Sequence, residues 1–182
     1  MKNPWLRIPA SDYEAHMALP DVGQAQAIRK LMASALKEYT PASLAVIGCT
    51  TGNGLEHVDP THTRRVVGVD INAAYLAVLE TRFAGKIPHL ELIEADITAP
   101  GFGFGPVSMV FAALLFEYVD VAGALRSIAR CLAPGAILVA GSGAECRDLA
   151  GGGLLVGGGA LWGLLDPARP LPQPAADDED PV

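Results

Sequence analysis

The chain has 182 residues, 51% hydrophobic and 18% charged, a composition typical of a folded domain and unlike that of a disordered protein. Its net charge of −7 argues against a general binder of nucleic acids or membrane surfaces. Cys49, Cys131 and Cys146 lie far apart, and an odd cysteine count is typical of reduced thiols, so we expect a cytoplasmic location.

The first 41 residues are predicted to form an N-terminal lid segment and one long helix. Asp21 is a candidate cap for that helix, whose apolar spacing continues to about Tyr39, before Thr40-Pro41 ends it. The start, "MKNPWLRIPASDYEAHM", lacks the apolar core of a secretion signal. No Cys-x-x-Cys or His-x-x-x-His pair is present, so we expect no metal site.

Residues 42–140 alternate between apolar strands and amphipathic helices. The predicted strands are Leu44–Gly48, Arg65–Asp70, Leu90–Asp96, Val107–Leu115 and Ala136–Ala140. Helices are predicted over "INAAYLAVLETRF" and over "DVAGALRSIARCL", the second capped by Asp120 and ended by Pro134-Gly135. This order predicts an α/β fold, a Rossmann-like doubly wound parallel sheet of about five strands with its functional crevice at the strands' carboxyl ends.

Three sequence features at those carboxyl ends indicate a ligand-binding site. The apolar strand before Gly48 runs into "GCTTGNG", where glycines allow a tight turn and a close approach of the backbone to a ligand. Asp70 follows the next strand, where nucleotide-binding sheets place a carboxylate that accepts hydrogen bonds from ribose hydroxyls. Asp96 follows the third strand and suits an adenine amino group. Each alone is equally compatible with a turn or a helix cap; together they favour an adenosine site.

These residues resemble the class I S-adenosylmethionine-dependent methyltransferases. "VIGCTTGNG" is similar to the family's first motif, "VVGVDIN" to the second, "IEADIT" to the third and "VSMVFAALLFEYVD" to the fourth strand with its active-site end. "ALRSIARCLAPGAILVA" resembles the family's helix, Pro-Gly turn and fifth strand. The dehydrogenase fingerprint Gly-x-Gly-x-x-Gly does not fit the spacing of Gly48, Gly52 and Gly54.

The resemblance implies S-adenosylmethionine as the cofactor and methyl transfer to a small molecule as the activity. The residues that it implies for cofactor binding are Gly48, Cys49, Thr50, Gly52, Asp70, Ile71, Asp96, Ile97 and Ala112. Two positions depart from the family pattern: Thr50 stands where the middle glycine is expected, and Val46 stands where an acidic residue is frequent.

Substrate-binding candidates come from two segments. Glu117 and Tyr118 follow the fourth strand, and Tyr13 and His16 precede the first long helix in a segment that resembles the family's lid. Packing or solvation explains each of them equally well, and we assign no catalytic side chain. His57 is expected to be a partly exposed helix residue.

Residues 141–182 form an atypical tail with 9 of the 20 glycines and 5 of the 14 prolines. The family's last strands are therefore expected to be missing, which would leave the fifth strand at an open edge that favours self-association. The acidic, proline-rich end from Pro167 to Val182 is expected to be disordered. Because this tail is atypical, an adenosine-cofactor binding protein with little or no turnover stays an alternative to a methyltransferase. A nicotinamide oxidoreductase is a third hypothesis.

Overall fold

One sheet of six strands organises the protein, with strand order β3-β2-β1-β4-β5-β6 in a computed structural model that describes residues 4–141 and the backbone of 154–157. The strands are β1 Ser43–Ile47, β2 Arg65–Asp70, β3 Leu90–Glu94, β4 Val107–Ala113, β5 Leu132–Gly141 and β6 Leu154–Gly157. The pairs formed by β1 to β5 are all parallel, which confirms the predicted Rossmann-like sheet. Helices cover both faces of a parallel sheet, so its central strands are continuous apolar runs, and β1 and β2 are buried from their second residue onward.

Within residues 4–141, four α-helices flank the sheet: α1 Ala10–Ala18, α2 Gln24–Tyr39, α3 Ala73–Phe83 and α4 Val121–Arg130. The expected cap at Asp120 is present, since its carboxylate accepts a hydrogen bond from the Gly123 amide at 2.7 Å. The expected cap at Asp21 is wrong. The long helix begins after Gly23, whose left-handed backbone (φ 62°) turns the chain from α1 into α2. Within residues 4–141, no helix combines the length and apolarity needed to cross a membrane.

Two apolar cores lie on opposite faces of the sheet. One joins β1, β2 and β4 to α2 and α3 through buried side chains such as Met32 and Leu79. The other joins the opposite faces of the same strands to α4 through side chains such as Val110 and Ile128. Both cores end at the carboxyl ends of the strands, where the residues predicted to bind a ligand are found.

The end of the sheet differs from the expectation. A short strand, β6, pairs antiparallel with β5, from Ile137 opposite Gly157 to Ala140 opposite Leu154. The fifth strand is therefore not at an open edge, because four residues of apolar sequence are enough to supply backbone hydrogen-bond partners despite the surrounding glycines. The expected disorder of Pro167 to Val182 lies outside the described residues.

β5 also begins earlier than predicted. It includes Pro134 and Gly135, which had been expected to separate a helix from a strand. Gly135 has φ 76°, and the pairing with β4 shifts register between Val107 and Met109. The Pro-Gly pair is thus accommodated as an irregularity inside the strand, since proline lacks the amide donor that a regular ladder needs.

Candidate functional site

A cavity of about 880 Å³ opens at the carboxyl ends of β1 to β4, within the size range of small-molecule sites. Its floor is formed by the residues that follow these four strands, and the N-terminal segment from Pro4 to Met17 covers it. This cavity therefore lies where the topology of a doubly wound sheet predicts ligand binding.

The glycine loop after β1 is fastened to the neighbouring strand. The amides of Gly48 and Cys49 both donate to the carbonyl of Val69, at 2.8 and 3.0 Å. Gly48 has φ 70°, and a side chain added there would meet only Leu115, at 3.8 Å, so the backbone lies open to the cavity. Gly52 has another role: an added Cβ would lie 2.7 Å from the Phe83 ring of α3, so this glycine lets the loop pack on the helix.

Thr50 holds the position of the family's middle glycine with a strained backbone. Its φ of 45° lies in the left-handed region, which a β-branched residue rarely adopts. Its amide donates to Oδ2 of Asp70 at 2.9 Å, and its side chain hydrogen-bonds the phenol of Tyr13. The strained loop residue thereby connects the end of β2 with the N-terminal segment above the cavity.

Asp70 is a buried carboxylate, 8% exposed, at the end of β2. Oδ1 accepts the amide of Asn72 and Oδ2 the amide of Thr50, each at 2.9 Å. Burial raises the pKa of this carboxyl, while the backbone hydrogen bonds of Asn72, Thr50 and Ile71 oppose that rise. No ion pair within residues 4–141 includes Asp70. Each carboxylate oxygen can accept a second hydrogen bond, so the group can still receive ribose hydroxyls.

The other residues predicted to bind the cofactor fall into two groups. Ile71, Asp96 and Ile97 line the cavity, and Oδ1 of Asp96 accepts both the amide and the hydroxyl of Thr98, at 2.8 and 2.7 Å. Ala112 does not line it. Its side chain is fully buried in the core beside α4, and the next residues, among them Leu114, form the wall instead. A direct side-chain role for Ala112 is therefore withdrawn, because alternation along β4 turns it away from the cavity.

Three of the four substrate-binding candidates lie at the cavity. Tyr13, His16 and Tyr118 line it, whereas Glu117 is exposed and is not part of the lining. Burial raises the pKa of Tyr13 to about 12, against the opposing hydrogen bond from Thr50. Tyr13 therefore keeps its proton at neutral pH and is unsuited to act as a base. The roles of these residues stay predictions.

An aromatic cluster over the cavity includes two residues that the sequence did not single out. Trp5 meets Tyr118 edge-on with ring centroids 4.8 Å apart and meets Tyr13 in the same way at 6.4 Å. The ring of Tyr13 also contacts Tyr75 of α3, at 5.5 Å. The carbonyl of Trp5 accepts the side-chain amide of Asn72, which holds the N-terminal segment on the start of α3. Aromatic residues at these positions are the only local signal, and they equally suit a core.

Two further side chains are excluded from the chemistry. Cys49 is 3% exposed, and burial, followed by the charge of Asp70, raises the pKa of its thiol well above the usual range. It stays a neutral thiol and is no nucleophile. His57 is exposed on a single 3₁₀ turn, Leu55–His57, rather than on the α-helix that the sequence suggested. Within the described part of the chain, no group of three or more His, Cys, Asp or Glu side chains is placed to hold a metal ion.

Comparison with known proteins identifies a family over the same part of the chain. Residues 45–140 match the sequence model of a family described as "Methyltransferase domain". No curated protein sequence matches the chain.

Solved structures with the same fold include the N-methyltransferase NodS from Bradyrhizobium japonicum WM9 in complex with S-adenosyl-L-homocysteine. It has a TM-score of 0.55 and 21% identity over 91% of this chain and 79% of NodS. The amino pentose methyltransferase CalS10 from Micromonospora echinaspora has a TM-score of 0.51 and 23% identity, over 70% of this chain and 54% of CalS10. YcgJ from Bacillus subtilis has a TM-score of 0.54 and 16% identity, over 63% of this chain and 50% of YcgJ. The chain thus spans about half the length of CalS10 and YcgJ.

Proposed function

Given that the chain belongs to the class I S-adenosylmethionine-dependent methyltransferase family, we propose that it transfers a methyl group from S-adenosylmethionine to a small-molecule acceptor. The observation that carries the proposal is the buried carboxylate of Asp70, which forms no ion pair with residues 4–141, beside an open glycine loop at the same cavity. A carboxylate without a cationic partner at this depth is stabilised by hydroxyl donors, which a ribose supplies.

The residues present fit the cofactor. Asp70 would receive the ribose, the backbone from Gly48 to Thr50 would face the methionine part, and Asp96 with Ile97 would hold the adenine. When bound, S-adenosylmethionine supplies an electrophilic methyl group on a sulfonium leaving group. The protein then has to align the acceptor with that methyl group and keep water out. Trp5 and Tyr13 cover the cavity and serve the second task.

The charge of the cavity favours one class of acceptor. Four aspartates line it, namely Asp12, Asp70, Asp96 and Asp120, and its described lining contains no lysine or arginine. A negative lining attracts cations and repels carboxylates and phosphates. We therefore propose an acceptor that is neutral or an amine, with an apolar body that packs on the rings of Trp5 and Tyr118.

Product formation tests the proposal. Purified protein is incubated with S-adenosylmethionine and a panel of amines, phenols, carboxylates and phosphate esters, and the release of S-adenosylhomocysteine is measured. We expect turnover with members of the amine or phenol sets and none with the anionic sets. Binding of S-adenosylhomocysteine without turnover across a broad panel would favour the alternative of a cofactor-binding protein instead.

A further inference from the structure

Tyr75 carries a hydroxyl group that has no hydrogen-bond partner in the part of the chain that the structure describes. The residue is 2% exposed, and its phenol oxygen is buried without a hydrogen bond to any of the described residues. An unsatisfied buried hydroxyl destabilises a folded protein, and phenylalanine would fill the same space without that cost. The hydroxyl therefore calls for a partner that the described residues do not provide.

The position of Tyr75 indicates where that partner lies. Tyr75 is in the first turn of α3, directly after the Asn72 cap, and it belongs to the lining of the cavity. Its ring lies against Tyr13, with centroids 5.5 Å apart and planes tilted by 36°. Asp70, at the end of the strand that leads into α3, is close enough for its charge to act on the phenol. Tyr75, which carries the unpartnered hydroxyl, thus lines the same cavity as the carboxylate assigned to the ribose.

The chemistry of the two groups defines the missing atom. Burial, together with the charge of Asp70, raises the pKa of Tyr75, so the phenol keeps its proton and is a donor at neutral pH. A ligand atom between this donor and the carboxylate has to accept one hydrogen bond and donate another. A hydroxyl does both, an ammonium cannot accept, and a second carboxylate is repelled by Asp70.

Resting on the proposed function, we infer that the Tyr75 hydroxyl donates a hydrogen bond to a ribose hydroxyl of the bound cofactor. Tyr75 is then a cofactor-binding residue that favours ribonucleosides over their deoxy analogues. A polar group left unpaired by an incomplete ligand is the usual source of such discrimination.

The test is calorimetry of wild type and Tyr75→Phe with S-adenosylhomocysteine, adenosine and 2′,3′-dideoxyadenosine. Removal of the hydroxyl is expected to weaken the binding of S-adenosylhomocysteine and of adenosine by a similar factor, about three- to tenfold for one neutral hydrogen bond. Dideoxyadenosine should bind both proteins equally, because it lacks the 2′- and 3′-hydroxyls that would accept the bond from Tyr75. The melting temperature of Tyr75→Phe should stay the same or rise, since an unsatisfied group is removed.

Tyr39→Phe is the matched control, because its hydroxyl bonds Glu38 on α2, outside the cavity, and its loss should leave all three affinities unchanged. Equal binding of S-adenosylhomocysteine by wild type and Tyr75→Phe would overturn the inference and leave the proposed function intact. A loss of affinity in Tyr75→Phe that is equally large for dideoxyadenosine would overturn the ribose assignment. Wild type that binds none of the three ligands would overturn both the inference and the proposed function.

Discussion

At the scale of single residues, the site depends on a few side chains whose contacts replace those expected from the family pattern. The clearest case is Thr50, which combines a left-handed backbone with hydrogen bonds to Asp70 and Tyr13. Strain of this kind is of the order of 1–2 kcal/mol for a residue with a Cβ. It persists because its neighbours hold the loop, and it is concentrated where the proposed cofactor approaches.

Thr50→Gly is expected to preserve the fold and to bind S-adenosylhomocysteine as tightly as wild type or more tightly. Relief of strain is offset by the greater freedom of glycine in the unfolded chain and by the lost bond to Tyr13, so stability should change by less than about 1 kcal/mol. Calorimetry and thermal unfolding measure the two quantities.

The control for this substitution is Thr40→Gly. Thr40 ends α2 with φ 38°, far from the glycine loop, so glycine there should stabilise the protein without changing affinity. A large loss of affinity confined to Thr50→Gly would mean that the Thr50 side chain itself binds the cofactor.

At the residue scale, the positions of side chains at strand ends were more predictable from sequence than their roles in binding, which stay predictions. Asp70 and Asp96 were predicted because the carboxyl ends of parallel strands meet at one edge. Ala112 was assigned through the family pattern and turned out to lie in the core, since a one-residue error along a strand reverses the side chain. Tyr75 was missed because an aromatic residue on a helix is usually part of a core, and only three-dimensional structure reveals a hydroxyl without a partner.

At the scale of elements, α1 is attached to the glycine loop by a polar cluster whose residues do not line the cavity. Glu14 accepts a hydrogen bond from the hydroxyl of Thr51 at 2.5 Å and forms an ion pair with Arg82 of α3 at 2.8 Å. Arg82 also donates to the carbonyl of Thr51 at 3.1 Å. One carboxylate thus joins α1, which covers the cavity, to the glycine loop and α3.

Glu14→Gln is expected to weaken S-adenosylhomocysteine binding by about two- to fivefold while stability falls by less than about 1 kcal/mol, because one half-exposed ion pair is lost. Faster dissociation of the ligand, measured by stopped-flow fluorescence, should account for the change. The exposed carboxylate of Glu80 on α3 provides the control, and Glu80→Gln should change neither quantity. A Glu14→Gln protein with wild-type dissociation kinetics would show that α1 does not retain the ligand.

The contribution of Glu14 should also depend on pH. Burial alone would raise the pKa of its carboxyl, but the hydrogen bonds from Thr51 and Arg82, with the charge of Arg82, hold it below its ordinary value. A carboxyl whose pKa is lowered by folding stabilises the protein above its unfolded pKa and loses that effect as pH falls through the folded pKa. The difference in stability between wild type and Glu14→Gln should therefore be largest near neutral pH and vanish in acid.

At the scale of the whole molecule, the sheet was predictable and its last edge was not. Five parallel strands form the predicted sheet, and β1, β2 and β4 are mostly buried apolar runs that require cover on both faces. The sixth strand was unexpected, since four residues among glycines give no periodic signal, and its pairing is determined by the neighbouring β5 rather than by local propensity. Tertiary context thus decided the element for which the sequence offered the least information.

The central claim is that the cavity binds an S-adenosylmethionine-type cofactor through Asp70, and calorimetry with S-adenosylhomocysteine tests it most directly. The account predicts saturable one-site binding by wild type and a loss of about tenfold or more in Asp70→Ala, because a charge-assisted hydrogen bond contributes roughly 1.5–3 kcal/mol. Asp59→Ala is the matched control, since Asp59 also accepts a backbone amide but lies outside the cavity, and it should bind like wild type. Wild type without binding, or a folded Asp70→Ala protein with wild-type affinity, would contradict the claim.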